Sequence, residues 1–272
     1  MHRFRRITGY RNALLTAFIA ATLLCGCPKS TNHLRDVQDE FNRINPTFFQ
    51  SGDPNTLTAD QESAYRQIVQ KIENEKLKSV DRDDLKVVAY AIDAFSNWRL
   101  RDYAAAKATA EKGLDIFARA GLQTNWRDYG MLLITGGLAD YSETFWDYQN
   151  WLRDHPNDFL PVNDAAAYTD RMAAAMKKID AVNQPEKGLT SDVPIVLYAN
   201  QQQLRAITGI LDIWSNVRDD ADQKGPVCHW TEQADILVGK RFPSAADYPG
   251  KAQTDDLEEK ISEVGQSYQC GG

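Results

Sequence analysis

From Leu34 to Tyr268 the apolar residues of this chain recur three and four positions apart, and no stretch alternates over a strand's length. That pattern predicts an all-α fold. Leu34, Val37, Phe41 and Ile44 mark a first short helix. Pro46 to Asn55 is a turn-rich break. Thr58 followed by Gln61 has the form of a capping box, opening a helix with Tyr65, Ile68, Val69 and Ile72 on one face. Asp81 to Asp84 supplies an acidic start for Leu85, Val88, Ile92 and Phe95. The next helix opens near Asp102 and stops at Gly121, which fits a left-handed cap.

Beyond Gly121 the spacing predicts two helices, Trp126 to Gly137 and Tyr141 to Asp154, ended by Pro156. A further helix runs from Asn163 to about Val182. Gln184 to Asp192 carries Pro185, Gly188 and Ser191 and is the clearest linker. Pro194 suits the first turn of a long helix with Tyr198, Ile207, Leu211 and Trp214. Short helices are expected near Glu232 to Val238 and Asp255 to Tyr268.

Two segments are alike. Asp102-Tyr103-Ala104-Ala105-Ala106 leads into Lys112-Gly113-Leu114, and Asp140-Tyr141-Ser142-Glu143-Thr144 leads into Asn150-Trp151-Leu152 and then His155-Pro156-Asn157-Asp158. Both resemble the second helix of a tetratricopeptide repeat, and their offset is near that family's repeat length. Thr144 and Trp151 depart from its small positions. The resemblance implies antiparallel helical hairpins over roughly Leu85 to Asp158, stacked as a tetratricopeptide-like array; the alternative is an antiparallel helical bundle. In that family first helices line a concave groove, which places Trp98, Arg99, Trp126 and Tyr129 there. Aromatic and arginine side chains anchor binding hot spots. Aromatics at helical spacing are also ordinary core residues.

The N-terminus has a different character. A basic start (Arg3, Arg5, Arg6, Arg11) precedes an apolar run from Ala13 to Leu24, too short for a bilayer core, which reads as an export signal. It closes with Leu24-Cys25-Gly26-Cys27. These four residues resemble the lipobox of bacterial lipoproteins. The resemblance implies cleavage before Cys27 and acylation of that cysteine, so the lipid bilayer is an expected partner through Cys27. Pro28, Lys29 and Ser30 follow rather than Asp, which in diderm hosts favours the outer membrane facing the periplasm. The expected organisation is a signal peptide over 1–26 and a lipidated N-terminus with a short helix and tether over 27–57. A repeat-like domain would span 58–183, and a C-terminal helical part 184–272.

Processing changes the charge and the cysteines. The signal carries four of the 31 Lys and Arg and none of the 38 Asp and Glu. The mature chain therefore has 27 basic against 38 acidic residues, a net charge of −11. That excludes nucleic acid as an expected partner, since phosphate binding needs basic patches. Of the four cysteines, Cys228 and Cys270 remain. In an oxidising compartment they are expected to pair. The competing reading, a metal pair with His229, has poor ligand spacing.

No catalytic motif is present: no Gly-x-Ser-x-Gly, no His-Glu-x-x-His and no phosphate-cradling glycine loop. Asp219 to Gly225 resembles a calcium loop only superficially, with Lys224 at a ligand position. No enzyme, no cofactor and no metal site is expected. Two functions follow. One is a membrane-anchored periplasmic lipoprotein acting as a protein–protein scaffold in envelope, pilus or transporter assembly, with a periplasmic or envelope protein partner; those classes are what the lipoprotein resemblance implies. The other is an extracytoplasmic module holding a small hydrophobic or anionic molecule between helices.

Overall fold

The computed structural model describes residues 34–45, 57–122, 127–183, 193–244 and 247–270. Among these the chain is all-α. In order, α1 spans Arg35–Ile44, α2 Ala59–Lys71, α3 Asp83–Arg99, α4 Tyr103–Arg119, α5 Arg127–Asp154, α6 Val162–Asp180, α7 Val193–Ser215, α8 Asp220–Arg241 and α9 Lys251–Ser267. Successive helices from α3 to α7 pack antiparallel, and α7 also packs against α5, α8 and α9. The pairing of extended backbone is limited to one isolated bridge, Leu160 to Val217, among the described residues. Cys27 with its lipobox, Trp126 and the Gln184 to Asp192 linker lie outside the described residues.

The helix starts follow local chemistry. The Thr58 hydroxyl accepts from Gln61 N–H while the Gln61 side chain accepts from Thr58 N–H, so the capping box closes both ways. Asp102 caps α4 by accepting from Ala105 N–H. Asp219, in the stretch resembling a calcium loop, caps α8 by accepting from Ala221 N–H. Gly121 ends α4 with φ 61°.

Two expectations need correction. The hairpin anticipated between Gly137 and Tyr141 does not exist: Arg127–Asp154 is one helix. Gly137 serves packing instead of a break. A Cβ on Gly137 would lie 2.5 Å from an Ile179 side-chain carbon and 2.9 Å from the Ala175 carbonyl oxygen. Glycine there lets α5 and α6 touch backbone to backbone. The second correction is α8, which begins well before Glu232 and carries Pro226 within it.

Apolar burial divides into two clusters. The first gathers α1 to α4 with the N-terminal half of α5, and it includes Ile179, Ile195 and Tyr198 from α6 and α7. The second gathers the C-terminal half of α5 with α6, α7, α8 and α9. Helices α3 and α5 run parallel, with Tyr90 and Leu132 both meeting the Gly113 position and Trp98 bonded to Ser142. Because α5 is the longer, it continues past the end of α3. That overhang creates the cleft described below. The C-terminal tail is fastened to α8 in two ways. Cys228 and Cys270 are disulfide-bonded with Cα atoms 5.0 Å apart. The Tyr268 hydroxyl donates to the Gln223 side chain, whose own amide donates to the Val217 carbonyl.

Candidate functional site

Where α3 stops and α5 runs on, a cleft of about 620 Å³ opens between α3, α5 and α7. One face of α5 forms a wall: Leu138, Tyr141, Ser142, Phe145, Trp146 and Gln149. These positions repeat at three and four, the stripe a helix presents to one side. The opposite wall is the α7 stripe Gln202, Arg205, Thr208, Gly209 and Asp212. Trp98, Arg101 and Tyr103 close one end, and Leu257 of α9 contributes from the second cluster.

The lining is pinned in place. Trp98 Nε1–H donates to the Ser142 hydroxyl at 3.0 Å. The Tyr141 hydroxyl donates to the Arg205 carbonyl at 3.4 Å, and the Tyr141 and Phe145 rings stack with centroids 6.0 Å apart. Gly209 allows this approach, since a Cβ there would sit 3.2 Å from the Tyr141 hydroxyl oxygen. The wall is therefore a rigid aromatic surface. Trp146 remains 47% exposed and carries the Arg101 guanidinium over its ring at 5.8 Å.

The charge of the cleft opposes that of the chain. Its lining carries two guanidiniums, Arg101 and Arg205, against one carboxylate, Asp212. Burial pushes the Asp212 carboxyl above its ordinary range, with the Tyr148 hydroxyl working against that shift. Gln202 is only 2% exposed, and its amide nitrogen has no hydrogen-bond partner. A buried amide without a partner is costly in a finished core.

Of the four residues expected to form one groove, only Trp98 lines this cleft. It is 6% exposed and edge-on to Phe95, so it belongs to the core as well. Arg99 does not line the cleft. Its guanidinium lies 5.8 Å from the Tyr65 ring, and its Nε is buried without a partner. Tyr129 packs against Phe117 at 4.3 Å in the first cluster. It stands about 20 Å along α5 from Ser142, the partner of Trp98, at 1.5 Å per residue. Arg99 also lies 5.8 Å from the Trp98 ring, and Trp126 lies outside the described residues.

Sequence reasoning passed over Arg101, Arg205 and Asp212. The α7 stripe Gln202, Arg205, Thr208 and Asp212 offered no distinctive signal, since Asn200, Gln201 and Gln203 make the same helix polar on other faces too. Among the described residues no three His, Cys, Asp or Glu side chains gather as a metal site. No helix among them is long and apolar enough to cross a membrane. No protein-family model, curated protein or solved structure matches the chain.

Proposed function

We propose that this protein is a binding module of the bacterial cell envelope, anchored by a lipid on Cys27, that holds a small molecule in the cleft between α3, α5 and α7. The observation that carries this reading is the cleft itself: a stacked aromatic wall, an exposed Trp146 and the guanidiniums of Arg101 and Arg205 around a space of about 620 Å³. Small-molecule sites have this make-up, mostly apolar with a few convergent polar groups. The anchor rests on the lipobox resemblance.

Two experiments test it. Cys27→Ser should release the protein from membranes or block its processing; unchanged pelleting and processing would refute the anchor. Protein purified natively from membranes should carry a small molecule visible by mass spectrometry. Gly209→Val, which places methyl groups against Tyr141 and Phe145, should lose it. A molecule retained equally by that variant would remove the cleft from the account.

A scaffold role is the second reading. Phe159 is 54% exposed and Val162 39% exposed at the α5–α6 corner, away from the cleft lining. A partner protein recovered at near-equal amount, and lost on Phe159→Asp, would favour it.

A further inference from the structure

Three helix ends among the described residues close in the same manner and differ in one position. After α3, the Arg101 N–H donates to the Trp98 carbonyl at 3.0 Å and the Asp102 N–H to the Asn97 carbonyl at 2.9 Å. After α4 the corresponding pair runs from Gly121 to Ala118 and from Leu122 to Phe117. After α9 it runs from Gln269 to Gln266 and from Cys270 to Gly265. Each is a Schellman closure, which needs one residue in the left-handed region. The three residues there have φ 65° at Arg101, 61° at Gly121 and 56° at Gln269.

Glycine fits such a position freely, and a side chain is strained there. Gln269 is chained directly to the disulfide-bonded Cys270. Arg101 has no covalent tie of that kind. What its side chain does instead is reach over Trp146 at the mouth of the cleft. Strain kept at such a site points to use of the side chain.

We infer that the cleft takes an organic anion with a flat apolar body, its acidic group meeting the guanidiniums of Arg101 and Arg205 and its body lying on the Trp146 and Phe145 wall. This rests on the ligand-cleft reading above. The recognising chemistry is an oxyanion, whether carboxylate, sulfonate or phosphate monoester, because the arginine fork presents paired donors to two oxygens at once. The lining of an acidic chain carries two guanidiniums and one carboxylate, which is charge complementarity to such a ligand.

Two dyes of one shape separate body from charge: anilinonaphthalene sulfonate and its uncharged relative N-phenylnaphthylamine. The mature protein is titrated with each and followed by dye fluorescence, alongside Arg101→Gly and Arg205→Gln. The wild type should bind the sulfonate about tenfold more tightly than the neutral dye, the scale of one charge-assisted hydrogen bond. Each variant should lose about tenfold for the sulfonate and keep the neutral dye within about twofold. Arg101→Gly should melt no lower than wild type, since glycine relaxes the cap. Equal losses for both dyes, undiminished sulfonate binding or a lower melting temperature for Arg101→Gly would overturn the inference. If neither dye binds the wild type, the cleft reading itself fails.

Discussion

Asp102-Tyr103 and Asp140-Tyr141 spell the same helix start, yet only one of them starts a helix. Asp102 completes the Schellman closure of α3 with its N–H and accepts a hydrogen bond from its own helix. Asp140 lies in the middle of α5 and reaches outward. It accepts from Lys107 of α4 at 2.8 Å and from Lys178 of α6, joining three helices. Burial pushes its carboxyl upward, but the hydrogen bonds from Lys107 and Lys178 overcome that and hold it below the usual range. The dipeptide does not specify a boundary. What precedes it does: a left-handed residue at 101, against helical glycines at 136 and 137, of which Gly137 gives α6 the space it needs.

The largest test of this difference is at Gly137. Gly137→Val should cost about 3 kcal/mol, because the side chain meets Ile179 and the Ala175 carbonyl. Gly136→Ala, whose nearest neighbour would be Ala110 at 3.8 Å, should be neutral or stabilise by up to about 1 kcal/mol. Urea unfolding of the pair checks this. Similar effects at both sites would mean that α5 is not packed as described.

A second contrast sets Asp140 against Asp93, another aspartate held between helices. Asp93 is 2% exposed, and burial, aided by Glu73 and opposed by Lys112, pushes its carboxyl up to about 7. The folded state then holds a proton that the unfolded chain releases near pH 4. Its contribution is full below that value and lost as pH rises through about 7. Asp93→Asn should therefore gain on the order of 2 kcal/mol over wild type at pH 8 and little at pH 4, by calorimetry. Asp140 has the opposite sign. Its lowered value gives stability that is present above the unfolded pKa and lost as pH falls through the folded one. Asp140→Ala should cost about 1–2 kcal/mol at pH 7, less in high salt and less again below pH 4. An Asp140 effect that ignored both salt and pH would break the three-helix account.

The smallest effect belongs to the helix cap. Asp102→Ala should cost about 1 kcal/mol, with little salt dependence, since it removes one local hydrogen bond. If Asp102→Ala and Asp140→Ala responded alike to salt, the two segments would be doing the same job after all.

Most of the helices were legible because their cause is local. Val37, Phe41 and Ile44 are buried at the spacing that announced α1, and the capping box before α2 was readable as letters. The continuity of α5 was not legible. Gly137 and the second Asp-Tyr are explained only by Ala175, Ile179, Lys107 and Lys178, which belong to other helices. The cleft was missed for the same reason. Trp98 was readable as an aromatic near a helix end, but its companions Trp146 and Arg205 come from elements that meet only in three dimensions. Arg101 was hidden by its type, since an arginine gives no sign in sequence that it occupies a left-handed position.

The central claim is that α5 runs on past α3 and that the cleft it forms with α7 receives the ligand. Backbone amide chemical shifts of the protein, titrated with N-phenylnaphthylamine, test both parts together. The largest saturable shifts should fall on Ser142, Trp146, Gln202 and Gly209, with slow amide exchange from Leu138 to Ser142. Shifts centred on the α8 surface, or rapid exchange across Gly137 to Tyr141, would contradict it.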